Sequence, residues 1–104
     1  MSNEREMLEH AAKACGLFDR GEWFDTTDGP VFVVGNKPFN PLTNSSDCAA
    51  MCAKMKIDTL WTDDCIICGD DSRTYESEVP LDDDPEAAWR YSATMVAAKI
   101  GGMK

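Results

Sequence analysis

Cys48, Cys52, Cys65 and Cys68 stand in the pattern C-x3-C-x12-C-x2-C. Thiolates at these intervals suit a closed tetrahedral Zn²⁺ site, and the string C-I-I-C-G at 65–69 resembles a zinc knuckle. Core packing competes for the same residues. Cys48, Met51, Cys52 and Met55 recur at the spacing of a helix's buried face, and free cysteine is among the most buried residue types. If 65–68 is a strand, Cys65 and Cys68 point to opposite faces, so knuckle and strand exclude one another. The preferred assignment is therefore core, with no metal and no cofactor expected and the four-cysteine zinc set as the alternative. Redox chemistry at C-x-x-C needs a thiol of low pKa beside positive charge. Here Asp63, Asp64, Asp70 and Asp71 flank the pair and push the other way. His10 and Cys15 lie about 140° apart around one helix, too far to act as base and nucleophile within it. No G-x-x-x-x-G-K, G-x-S-x-G or H-E-x-x-H string occurs, so no enzyme is expected.

The acidic residues are the other candidates. They cluster at Asp25 with Asp28, at Asp63-Asp64 with Asp70-Asp71, and at Asp82-Asp83-Asp84. Turn formation, helix capping and solubility account for such clusters in many proteins. A second role is a negative surface that engages a basic groove on a protein partner, in the manner of nucleic-acid phosphates. On that role, Asp63, Asp64, Asp70, Asp71, Asp82, Asp83 and Asp84 are the partner-binding candidates. No loop has the ligand spacing of an EF-hand.

These residues sit in a chain of 104, enough for one domain over 1–104 with one core. Hydrophobic residues make up 43%, a folding composition. The net charge of -9 repels nucleic acid and anionic membrane, so neither is an expected partner, while a host protein with a basic surface is. A homodimer is a further option. Met1–Glu6 is polar and leads into no apolar run, so no signal peptide is expected. A reducing, cytoplasmic location follows, and the five cysteines, an odd number, fit it.

The elements that must position the candidates can be read in order. Asn3 and Glu6 resemble a capping box, and Met7, Leu8, Ala11, Ala12 and Cys15 form one helical stripe that Gly16 ends, leaving His10 solvated. Gly21–Phe24 and Val31–Val34 read as a hairpin with a five-residue loop, the second strand covered on both faces. Asn40-Pro41 turns the chain into a helix capped by Ser45 or Ser46. Strands follow at 57–61, 65–68 and 75–79, the last at a sheet edge. Asp84 and Pro85 open a final helix with Trp89, Ala93, Val96 and Ile100 on its stripe, stopped by Gly101-Gly102. The fold class is thus α+β, in the order helix, two strands, helix, three strands, helix. A mainly antiparallel sheet packed with helices, an alpha-beta-alpha sandwich, is the simplest solution.

Three strings add a resemblance: N-P-L-T at 40–43 after the hairpin, D-D-D-P-E-A-A at 82–88, and A-A-K-I-G at 97–101. With the element order they resemble the phage ABA-sandwich family of small phage and prophage proteins, over nearly the whole chain. The resemblance implies a phage-encoded accessory protein and carries over no catalytic or ligand residues. Combined with the acidic charge, it leads to the expectation of a non-enzymatic protein that binds another protein, as an acidic inhibitor of a host nucleic-acid-handling or defence complex of the anti-CRISPR kind. The alternatives are a zinc-stabilised structural module and a phage protein whose acidic face binds nothing.

Overall fold

A computed structural model describes residues 3–27, 29–72, 74–81 and 83–102. Helix α1 (Asn3–Ala14) is followed by a 3-10 turn at Phe18–Arg20, then strands β1 (Gly21–Thr26), β2 (Gly29–Val34) and β3 (Lys37–Pro38). Helix α2 (Ser45–Met55) leads to β4 (Asp58–Trp61), β5 (Cys65–Gly69) and β6 (Glu76–Pro80), and α3 (Pro85–Ile100) closes the chain. This is an α+β fold in the expected order. The strands divide between two antiparallel sheets, β1-β2-β3 and β4-β5-β6.

Helix α1 buries Met7, Leu8, Ala11, Ala12 and Cys15, the stripe that its spacing predicts. It ends at Gly16, which sits at φ 72°. The capping role of the Asn3 side chain lies outside what is described. His10 is not solvated as expected. It is half-buried, and its Nδ1–H donates to the Gly101 carbonyl at 3.1 Å, tying the middle of α1 to the end of α3. Alanines on both helices (Ala11 on α1; Ala93 and Ala97 on α3) have no exposed surface and let the backbones approach closely.

The hairpin is tighter than its turn residues suggest. Thr26 pairs with Gly29, so the strands extend into the expected five-residue loop; Asp28 in its connection lies outside the described residues. Trp23 stands opposite Phe32 on the core side, and Trp23 Nε1–H donates to Glu9 on α1 at 2.7 Å. Val31 and Val33 are only half-buried and Phe24 is exposed, so β2 is covered on one face, not on both. The run of apolar residues carries no information about whether a second layer exists to cover it.

The turn at Asn40 is a cluster of local bonds. Asn40 Oδ1 accepts the Leu42 N–H at 3.0 Å and Asp47 Oδ2 accepts the Asn40 N–H at 3.0 Å. The cap of α2 is Asn44, one residue ahead of the expected serines: its side-chain oxygen accepts the Asp47 N–H at 3.0 Å. Ser45 instead faces α3, where Arg90 donates to the Ser45 hydroxyl and to the Leu42 carbonyl, each at 2.9 Å.

Helix α3 is the centre of the molecule. Asp84 caps it by accepting the Ala87 N–H at 3.1 Å, with Pro85 in the first turn, as the sequence predicts. Beyond that turn it is buried on more than one side, so a single stripe under-describes it: Ser92, Thr94 and Ala97 are buried beside Ala93 and Val96. One flank meets α1, and another meets β5 through Ile66 and Cys68 and β6 through Val79. Ser92 Oγ donates to the Ser77 carbonyl at 2.9 Å. Thr94 Oγ1 is buried with no hydrogen-bond partner among the described residues. Leaving a hydroxyl unpaired in the core is costly. Replacing Thr94 by the nearly isosteric valine is therefore expected to raise stability by about 1 kcal/mol, read as a higher denaturant midpoint with an unchanged slope.

Candidate functional site

Cys48 and Cys52 lie on α2, facing the core, and Cys68 faces the same core from β5. Cys65, three residues away on that strand, lies on the opposite face of the sheet, where the Thr62 hydroxyl is 3.1 Å from its sulfur. The alternative zinc set of Cys48, Cys52, Cys65 and Cys68 is therefore not brought together. The strand that forms at 65–69 excludes a knuckle there. Among the described residues, no group of three or more His, Cys, Asp or Glu side chains converges as a metal site. Cys15 is the other thiol at the core: the charges of Lys54 and Cys52 both act on it.

Burial governs the thiols. It pushes the pKa of Cys15 up, with Lys54 opposing, and that of Cys68 up, against hydrogen bonds from Ser92 and Thr59. The Cys48 thiol bonds to Cys52 and is desolvated, and both effects hold it protonated. The same bond lowers the pKa of Cys52, with burial opposing. A thiol whose folded pKa is raised stabilises the fold fully below the unfolded value of about 8.5, and this contribution is lost as pH rises through the folded value. Stability is therefore expected to fall above about pH 8.5, and less steeply in Cys68→Ala, in thermal melts across pH. At neutral pH a disulfide reagent should label Cys52 and Cys65 at once. Cys15, Cys48 and Cys68 should react only as fast as the core opens.

The acidic candidates separate as well. Asp63 and Asp64 occupy the β4–β5 turn, and Asp70 and Asp71 the β5–β6 turn. These are opposite ends of β5, a five-residue strand, so that even Asp64 and Asp70 stand roughly 20 Å apart along it. Proximity in sequence made them one cluster; the intervening strand makes them two. Asp83 and Asp84 join the Asp64 end, because the Leu81 N–H bonds to the Asp64 carbonyl at 3.0 Å. Asp82 lies outside the described residues. Three of the group have structural work. Asp64 accepts from Thr62 Oγ at 3.3 Å, Asp70 accepts from Ser72 Oγ at 3.0 Å and from the Tyr75 N–H at 3.2 Å, and Asp84 is the helix cap. Asp63, Asp71 and Asp83 are exposed.

Between the two acidic ends lies a surface that the turn residues do not announce. Pairing sets Leu60, Ile67 and Glu78 abreast, with Asp58, Gly69 and Glu76 in the next row. This face points away from α3, since Ile66 and Cys68, on the other face of the same strand, are fully buried. A shallow depression is lined by Leu60, Ile67, Glu76, Ser77 and Glu78, and a second by Asp64, Cys65, Glu78 and Pro80. Leu60 is 57% exposed and Trp61, at the end of the same strand, 52%. The result is an apolar strip, Leu60 with Ile67, bordered by Asp58, Glu76 and Glu78. The alternation E-S-E-V-P in β6 could have located the acidic border. The apolar strip does not show in the sequence, because C-I-I-C alone does not tell which face of its strand a helix covers.

Cys15 is buried, and the His10 Nδ1–H is taken up by the Gly101 carbonyl. Among the described residues no helix is long and apolar enough to cross a membrane. No protein-family model, curated protein or solved structure matches this chain.

Proposed function

We propose that this protein is a non-enzymatic phage or prophage accessory protein that acts in the host cytoplasm by binding a host protein with a basic surface. Its concrete form is inhibition of a nucleic-acid-handling or defence complex. The observation that carries this is the outer face of the second sheet, where an open apolar strip lies inside an acidic border with acidic turns at both ends. An apolar centre with a mainly acidic border is the anatomy of a specific interface, in which the centre supplies affinity and the charges supply steering and partner choice. The net charge of -9 extends the same sign over the molecule, which speeds encounter with a cationic surface and repels nucleic acid itself. The strings at 40–43, 82–88 and 97–101 support the phage origin.

The test is capture from a bacterial lysate at low ionic strength with mass-spectrometric identification. The expected result is a basic protein that is released as salt approaches about 0.5 M, where exposed charges are screened within a few ångströms. Recovery of no basic partner at low salt counts against the proposal.

A further inference from the structure

The two free edges of the second sheet differ in how they are protected. The Thr62 N–H bonds to the Cys65 carbonyl at 3.0 Å, which fixes the alternation of the β4–β5 ladder. Leu60 and Asp58 then turn their main-chain groups toward β5, and Thr59 and Trp61 turn theirs outward. At the far edge, β6 ends in Pro80, which has no N–H, carries Glu76 and Glu78, and has the Glu76 carbonyl bonded by Lys99 Nζ at 3.2 Å. Proline, charge and a covering side chain are the devices that keep an edge from pairing. The β4 edge has one acid within it, Asp58, and two large exposed apolar residues, Leu60 and Trp61. The main neighbour of β4 is β5, and no further main-chain bond is made by Thr59 or Trp61 among the described residues.

We propose that the β4 edge accepts an extended segment of a basic partner as a fourth strand of this sheet. Main-chain bonds form to Thr59 and Trp61, apolar residues of the segment cover Leu60, and lysine or arginine at one end faces Asp63-Asp64. This rests on the protein-binding function proposed above and names the mode of recognition. Strand addition draws affinity from the backbone and selectivity from alternate side chains, which fits a short edge with an apolar middle and an acidic turn at its end. A second copy of this chain fits the same edge less well. Antiparallel pairing of Thr59 with Trp61 of the copy would set Leu60 against itself and bring Asp58 toward Asp63, between two chains of charge -9 each.

The full chain, labelled with ¹⁵N, is titrated at low salt with a capped synthetic peptide, Lys-Lys-Val-Val-Val-Lys-Lys, and amide exchange is followed. The expected result is that exchange at Thr59 and Trp61 slows at least about tenfold at saturation, while the Asp58 and Leu60 amides, already in the ladder, change little. Leu60→Lys, at an exposed position, should weaken binding about tenfold or more, because it sets a cation beneath a cationic strand. Binding with unchanged exchange at Thr59 and Trp61, or with shifts confined to the Asp70-Asp71 turn or the start of α3, overturns strand addition and leaves the acidic-surface function standing. Protection of the same two amides before peptide is added, rising with protein concentration, overturns it in favour of a homodimer. No binding at low salt overturns both.

Discussion

Phe32→Ala is expected to cost about 3–5 kcal/mol of stability, measured by denaturant unfolding with the Trp23 indole N–H resonance as a local probe. Phe32 is 2% exposed and forms the centre of a small second core under the first sheet, with Ala12 and Phe39. Its ring lies 5.3 Å from Trp23, 6.1 Å from Phe18 and 6.4 Å from Phe39, measured between centroids. It also lies so close over Gly21 that a Cβ there would overlap it. Removing the ring therefore leaves four elements facing a cavity that none can fill alone. The loss is a large share of the roughly 5–15 kcal/mol that holds a domain of this size. The first sheet should loosen before the helices do, and the Trp23 signal should change at lower denaturant than helical ellipticity.

Gly101→Ala is expected to destabilise by about 3 kcal/mol, at the upper end of overpacking costs, although it adds a single methyl group near the end of the chain. The Cβ would land on the His10 carbonyl, a backbone atom in the middle of α1 that cannot step aside. Relief requires α1 and α3 to separate, which opens the alanine-lined contact between them and stretches the His10–Gly101 bond. Here the glycine is needed for space more than for conformation: its φ of -78° is open to any residue. In a thermal melt the variant should unfold well below the parent, with an unchanged near-neutral pH profile.

What the sequence makes legible here is local. The stripes of α1 and α2, the Asp84-Pro85 start of α3 and the alternation of β6 each follow from residues a few positions apart. The division into two sheets does not, because pairing partners such as Thr59 with Cys68 or Trp23 with Phe32 are chosen by the whole chain. Trp61 illustrates the limit. It occupies a core-side register beside Ile66, yet it ends an edge strand and stands half in solvent. Ser92 and Thr94 fail in the other direction: polar residues on a helix buried on several sides escape any single-stripe rule. The candidate site was half visible. The acids are plain in the sequence, but three of the aspartates serve turns and a cap. The apolar strip that makes the surface more than a solvated one depends on which face of β5 the helix covers.

Capture with a face variant shows whether the outer face of the second sheet is the interface. The wild-type chain and the double variant Leu60→Lys with Glu78→Lys, both positions exposed on the outer face of the second sheet, are compared as baits in one low-salt bacterial lysate. Melting curves of the two should coincide within a few degrees, since surface changes seldom exceed about 0.5 kcal/mol. The prediction is a basic protein held by the wild type and lost from the variant. An equal yield of the same protein on both baits would place the interface somewhere other than this sheet.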